Sequence, residues 1–406
     1  MTTAPADFIN RWKELAAVFL KIGAMSYGGP AIMGIMQAEI QEKRGWLSKE
    51  RFLEGLALVN MLPGAAATQL GIFIGYQRSG WWGGVVAGLC FILPAFVIMM
   101  SLTLLYSTFG ALPVMRDAFY GLGPVVLGIF VVAVYRLGKA ALKGVSQIAI
   151  GIGAALLVAY TPIGIVGTFI LTGCAGVTLY HSRAWGLRAA LVAALLVGAY
   201  HWASIALTAQ EMSAGNAYLD PALTPGLWDI GRFFFKVGGF TFGGGITTLA
   251  FMQDQVVSQL HWLTQQEFLD GLTLGQLTPG PILMLAAYVG YKLSGIAGAV
   301  VGGIAIFLPA FILMLSVLPV LDRIRQLAWI KAAMRAISAA VIGMISVSLI
   351  QMAPHAVPDA LTVMLLILTI AGMLIWSLAP LPLMLGGGLI GIGGRMNLLQ
   401  RLKELA

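Results

Sequence analysis

Charge is scarce in this chain. Asp, Glu, Lys and Arg make up 10% of its 406 residues, against 59% hydrophobic residues. So little polar material excludes a soluble domain of any size, because no segment could solvate the surface of one. Cysteine is nearly absent: Cys90 and Cys174 sit in apolar stretches without Cys-x-x-Cys spacing, which argues against disulfide and thiolate-metal frameworks. The histidines, His181, His201, His261 and His355, have no metal-ligand spacing. The chain has no Gly-x-x-x-x-Gly-Lys-Ser/Thr for nucleotide phosphates and no Gly-x-Ser-x-Gly nucleophile, so no ATPase, cofactor or enzyme activity is expected. Met1 to Asp7 lacks the basic start of a cleaved signal, and the first helix is expected to be retained.

What is present is membrane. Mean hydropathy is +0.91, and apolar runs of roughly 20 residues, the length that spans ~30 Å of hydrocarbon, recur from end to end. The expected class is an all-α, multi-pass membrane protein. The net charge of +8 reads as topogenic charge in cytoplasmic loops rather than a nucleic-acid surface, with a smaller share drawing anions.

The stretch from Leu272 to Tyr291 organises the rest. It is about long enough to cross a bilayer, yet its middle, Gln276-Leu277-Thr278-Pro279-Gly280-Pro281, cannot run as unbroken helix. Backbone exposed at membrane depth is tolerated only where protein buries it or where it lines a wet cavity, which makes such a break a ligand-site candidate.

This break occurs twice. Phe19 to Gly29 and Phe234 to Gly244 read as one pattern 215 positions apart, with Lys21 matching Lys236. Glu39 pairs with Asp254, Trp46-Leu47 with Trp262-Leu263, and Phe52-Leu53-Glu54-Gly55 with Phe268-Leu269-Asp270-Gly271. Asn60 to Gly64 matches Gln276 to Gly280, and Leu93-Pro94-Ala95-Phe96 matches Leu308-Pro309-Ala310-Phe311. The period is too long for a solenoid and marks two half-domains. Their boundaries are read as 1–182 and 230–406, with 183–229 a linker that carries an unpaired apolar helix. Each half shows six hydrophobic segments. Seven crossings between equivalent points would invert the halves, whereas a re-entrant broken segment would leave six and parallel halves. The placement of Lys and Arg favours inversion without fixing absolute orientation.

Several residues could carry chemistry. Lys21 and Lys236 lie in apolar segments and are candidates to face an anion, with snorkelling as the plainer reading. Gly28, Gly29, Gly243, Gly244 and Gly245 allow a bend whose amides face an anion, or close helix packing. The breaks at Pro63-Gly64 and Pro279-Gly280-Pro281 leave half-helix ends suited to an anion, with Asn60, Gln276 and Thr278 as neutral donors. Glu39, Glu54, Asp254 and Asp270 are the candidate proton carriers, although all lie near segment ends, where surface charge is the plainer reading. The 18 residues from Lys21 to Glu39 correspond to ~27 Å of straight helix.

In these motifs, doubled and in order, the chain resembles the chromate ion transporter family in its two-half form. The resemblance covers nearly the whole chain. It implies export of chromate across the bacterial inner membrane, driven by the proton-motive force and conferring chromate resistance. It further implies a sulfate-like oxyanion as competitor or alternative cargo, and rocking of two halves around a central site built from broken or re-entrant helices. Protons and the bilayer are the other expected partners, nucleic acid is not one, and a homodimer is left open. Asn60-Met61-Leu62-Pro63-Gly64-Ala65 departs from the pattern, so the second break is expected to be the working one. A passive anion channel is the alternative class, and a membrane enzyme stands well behind both.

Overall fold

A computed structural model of the chain describes residues 5–26, 29–59, 62–110, 112–161, 164–188, 191–192, 225–241, 246–320 and 328–404. All regular structure among them is helical. In the first half lie α1 (Pro5–Met25), α2 (Gly29–Met36, continued by a π-helical stretch Gln37–Lys43), α3 (Lys49–Val59), α4 (Ala66–Phe109), α5 (Pro113–Ala141), α6 (Val145–Tyr160) and α7 (Gly164–Tyr180). The second half repeats the order as α8 (Leu227–Gly239), α9 (Ile246–Met252, continued by a π-helical Gln253–Gln259), α10 (Gln265–Leu277), α11 (Leu285–Val317), α12 (Ala328–Ala356), α13 (Ala360–Ile375) and α14 (Pro380–Glu404). Among the described residues, four stretches have the length and apolarity to cross a membrane: Ala66–Phe109, Pro113–Lys139, Ile282–Val317 and Lys331–Ala356.

The broken segments do not cross. α4 folds back on itself at Ser79 and Gly80 (φ +69°), a conformation glycine adopts at little cost. A methyl at Gly75 would stand 2.2 Å from the Gly83 carbonyl oxygen, although eight residues of straight helix would separate the two by ~12 Å. The arm before this turn, 66–78, also lies beside α3, where Phe73 covers Gly55. α3 therefore enters from one face, the chain reverses around Pro63-Gly64, and 66–78 returns to the same face. The second copy does likewise. Tyr288 covers Gly271, Gly290 abuts Gly298, and Lys292 at the exit reaches Glu267 at the entry across 2.7 Å. Leu272 to Tyr291 is thus a re-entrant hairpin.

The segment before it is re-entrant as well. Arg78, at the mouth of the hairpin just described, bonds Glu14 of α1 at 2.7 Å and stacks over the ring of Trp46, which follows α2, at 4.1 Å. Glu14, Trp46 and Arg78 therefore share one face, while Gly23 packs on the backbone of Phe91 well inside the protein. Hence α1 goes in and α2 comes back. In the second copy Ser294 bonds the Pro225 carbonyl at 3.3 Å and Phe233 meets Trp262 with ring centroids 5.0 Å apart. α8, at 13 residues, is ~20 Å long and could reach little past mid-membrane.

The halves are inverted. The crossing arm of α4 (81–109) lies antiparallel to that of α11 (296–317), with Gly84 against Leu315, Gly88 against Phe311 and Phe96 against Gly303. α5 and α12 oppose each other in the same sense, Gly123 near Ala356 and Gly138 near Ile342. The hairpins of the two halves consequently enter from opposite faces. The parity expectation that one re-entrant segment makes the halves parallel fails because each half contains two.

The outer helices are exchanged between the copies. α6 and α7 pack on α12, where methyls at Gly343 and Gly176 would stand 1.9 Å from the Gly151 carbonyl and 2.5 Å from the Ala332 carbonyl. α13 and α14 pack on α5, with Thr369 on Gly128 and Gly387 on Gly121. Backbone-to-backbone contact through small residues is how helices associate where apolar burial offers no gain.

Candidate functional site

The hairpin tips meet inside the protein. Gly280, with φ +98°, donates its N–H to the Ser26 carbonyl at 2.6 Å, and Gly64, with φ +124°, donates to the Thr241 carbonyl at 2.6 Å. Each bond joins the second hairpin of one half to the first hairpin of the other. The Leu-Pro-Ala-Phe repeats form the walls: a methyl at Gly280 would touch Ala95 at 2.8 Å, and one at Gly64 would touch Ala310 at 3.3 Å. The two breaks are thus built into a single cross-half junction, which explains why the motifs recur as a set.

Among the described residues, three polar atoms at the first-half tips are buried without a partner. They are Ser26 Oγ, Thr68 Oγ1 and Gln69 Oε1, on residues with 0% exposure. The Gln69 amide donates to the Pro63 carbonyl at 2.7 Å, so its oxygen faces away. Phe19 of α1 covers Gly71. Two turns further inward along α1 and two turns back along the other arm bring Ser26 and Gly64 to one depth, with Thr68 about one turn nearer the mouth. The arm starting at Ala66 has no side-chain cap, which leaves the first amides of the turn without intrahelical acceptors. Free N–H groups at a half-helix start, with two hydroxyls beside them, can receive an anion by neutral donors. Buried polar groups are normally paired, so this cluster is one part of the interior that asks for a ligand; Gln253 Oε1 and Gln265 Nε2, near the second-half hairpin mouth, also lack a partner among the described residues.

The second-half tips are more fully satisfied. Thr278 donates to the Leu274 carbonyl at 2.8 Å and also faces Met99 sulfur at 3.4 Å. Thr241 shares a hydrogen bond with Thr248 at 2.7 Å and donates to Val237 at 2.9 Å. Pro279 and Pro281 are buried and Gln276 is half-buried. Among the described residues, Gln276 has no hydrogen-bond partner, so its amide is available. Asn60, Gly28, Gly243, Gly244 and Gly245 lie outside the described residues, and Gly29 opens α2.

The lysines are not at the junction. Lys21 is exposed and its ammonium lies 3.9 Å from Glu39. The ~27 Å expected along one helix is replaced by this contact because the chain reverses between α1 and α2. Lys236 is exposed and stands 5.9 Å from the Phe251 ring.

The acids fall into two kinds. Glu39 is held by Lys43 and Arg44, each at 3.2 Å, as well as Lys21. The hydrogen bond from Lys43 leads the effects that hold its carboxyl, at the hairpin mouth, below the usual carboxylate range. Glu54 pairs with Arg51 at 2.6 Å. Their second-half counterparts have neutral partners among the described residues: Gln259 (2.8 Å) and Gln255 (3.4 Å) for Asp254, and Tyr106 and Gln266 for Asp270.

Sequence reasoning missed Ser26, Thr68 and Gln69. Ser26 had a signal, since Ser26 and Thr241 carry hydroxyls at equivalent positions of the two copies. Thr68 and Gln69 had none, because the aligned second copy reads Met284 and Leu285.

Comparison with known proteins bears on this architecture directly. The family model described as "Chromate transporter" matches residues 13–179 and again 228–392, once for each half. The chain belongs to the chromate transporter family. A chromate transport protein of Cupriavidus metallidurans is 32% identical over 385 residues, which cover 94% of this chain and 92% of that one. Another from Pseudomonas aeruginosa is 33% identical over 347 residues, 84% and 81% of the two chains. A probable chromate transport protein of Synechococcus elongatus is 32% identical over 315 residues, 76% and 75%. No solved structure matches the chain. In family terms, the doubled match coincides with the two inverted copies.

Proposed function

We propose that this chain exports chromate, or a related tetrahedral oxyanion such as sulfate, across the bacterial inner membrane. The proton-motive force drives the step, and chromate resistance is the outcome for the cell. The observation that carries this reading is the cluster of unpartnered Ser26 and Thr68 hydroxyls beside uncapped amides at a junction between inverted halves. A dianion held by neutral donors keeps its charge and is released more readily than from a fixed cation. Gly64, Gln276, Thr278 and Gly280 complete the tip set, with Lys21 and Lys236 on the hairpin arms that lead to it.

Orientation follows from charge. The face where the first-half hairpins enter carries Lys43, Arg44, Lys49, Arg51 and Arg78 together with Glu14, Glu39, Glu42, Glu50 and Glu54, and Lys139, Lys143 and Lys331 share it, so it has the larger number of cations. The opposite face has Asp254, Glu267 and Asp359 with Arg116, Arg232 and Lys292. The basic face is assigned to the cytoplasm. The hinge between access states is the pair of tip-to-tip bonds, around which the halves rock.

The test is chromate flux in vesicles containing the purified protein. Gradient-dependent flux inhibited by sulfate and abolished by a protonophore is the expected result. Flux that follows the chromate gradient alone and ignores the protonophore is the behaviour of a passive channel and overturns the reading.

A further inference from the structure

The four acids occupy equivalent positions in pairs, yet the copies treat them oppositely. In the first half, Arg51 neutralises Glu54. The aligned residue in the second half is Glu267, so a cation that pairs with one acid is replaced by a like charge beside the other. Lys292 does not compensate, because its ammonium bonds Glu267 at 2.7 Å. Asp270 is left with neutral partners and is 7% exposed.

Both of its oxygens accept hydrogen bonds, one from the Tyr106 hydroxyl and one from the Gln266 amide at 3.0 Å. Tyr106 belongs to the crossing arm of α4 in the first half, so this contact spans the two bodies that must rock. Its counterpart in the duplication is Leu321, which has no hydroxyl, so the repeat provides this contact once. Three other titratable groups on nearby elements have partners of their own. Tyr288 donates to the Glu267 carbonyl at 2.9 Å. From α5, Phe119 packs on the Tyr106 ring with centroids 4.9 Å apart, while Tyr120 donates to Asp359. The π-helical 253–259 keeps Asp254 on Gln255 and Gln259, all within its own turn.

We propose that Asp270 is the residue that takes up the driving proton, and that its bond to Tyr106 locks the halves together while it is ionised. This rests on the proton-driven reading above. An ionised carboxylate accepts at both oxygens, which suits the two donors placed here. A proton from water on the non-basic face adds to one oxygen and turns the charge-assisted bond between Tyr106 and the carboxylate into a weaker neutral one. The lock opens on the face assigned to the outside, where the proton-motive force keeps protons abundant. Glu39 and Glu54 are less suited to carry the proton, because each is ion-paired with cations of its own half.

The test uses the full chain in vesicles and two readouts. Chromate counterflow at equal pH reports translocation alone, and chromate efflux under an imposed pH gradient reports coupling. Asp270→Asn, a neutral isostere, should retain counterflow and lose the gradient stimulation at least tenfold. Tyr106→Phe, which keeps the ring packing, should move the pH midpoint of driven flux upward, since removing a donor disfavours the ionised carboxylate. A wild-type protein whose efflux ignores the gradient overturns the proton-driven reading, and this proposal with it. A gradient-stimulated wild type whose Asp270→Asn variant is equally stimulated overturns the proposal alone. If Asp270→Asn does not fold, an unshifted midpoint in Tyr106→Phe does the same.

Discussion

Gly280 gives its backbone N–H to the carbonyl of Ser26 at 2.6 Å, so the tip of one re-entrant hairpin is fastened to the tip of another from the opposite half. The twin bond from Gly64 to Thr241 repeats this across the pseudo-twofold axis. A broken helix thereby satisfies exposed backbone groups with its partner's backbone, which leaves hydroxyl side chains free for other work.

Gly280→Ala should destabilise the protein more than Gly45→Ala. Both glycines have positive φ, +98° and +57°, which costs an L-residue ~1–2 kcal/mol. Only Gly280 also meets a wall, with its added methyl 2.8 Å from Ala95, whereas nothing lies within 4 Å at Gly45. Melting temperatures of the two variants in detergent should differ, with Gly280→Ala the lower. Equal values would count against the close tip contact.

The inverted packing can be tested by cross-linking. With Cys90 and Cys174 replaced by alanine, the pair Gly84→Cys and Leu315→Cys should form a disulfide under mild oxidation, because a Cβ at 84 would lie 3.1 Å from the Leu315 side chain. Gly84→Cys with Ile304→Cys should not, since eleven residues of helix separate 304 from 315, or ~16 Å. Electrophoretic mobility after oxidation reads both.

Orientation gives a separate expectation. A cysteine at Ser48, between α2 and α3 on the basic face, should react with a membrane-impermeant maleimide only in everted vesicles. One at His261, between the π-helical 253–259 and α10, should react only in right-side-out vesicles. The reverse pattern would place the basic face outside.

Glu39 predicts a pH effect on stability. Its folded carboxyl lies below the ordinary value of 4.5, so its contribution is fully present above that value and is lost as pH falls through the lower folded one. Melting temperature should therefore hold from neutral pH to about 5 and decline below it, with a shallower decline in Glu39→Gln. Identical profiles would mean that the triple cation contact adds nothing.

Much of this was legible in the sequence. The duplication, the two breaks and the Leu-Pro-Ala-Phe repeats are local patterns, and each proved part of one junction. The reversal between α1 and α2 was only partly legible: Gly28-Gly29-Pro30 allows a bend, but nothing in the flanking sequence separates a bend in a crossing helix from a full return. Lys21 and Glu39 were consequently placed a helix length apart. The partnerships of the acids were also hidden. Arg51 beside Glu54 and Glu267 beside Asp270 are visible once aligned, but the tyrosine that holds Asp270 comes from 164 positions away in the other half. That the Ser26 and Thr68 hydroxyls lack partners among the described residues is a property of packing; the repeat reports only that Ser26 and Thr241 both carry a hydroxyl.

The most direct test of the tip-junction site is chromate affinity of the purified protein with Ser26→Ala, Thr68→Val and both together. A hydrogen bond to a charged ligand contributes roughly 1.5–3 kcal/mol, so each change should weaken binding about tenfold or more. Unchanged melting temperature alongside that loss would assign it to the site. Wild-type affinity in the double variant would contradict the account and move the oxyanion away from the tips.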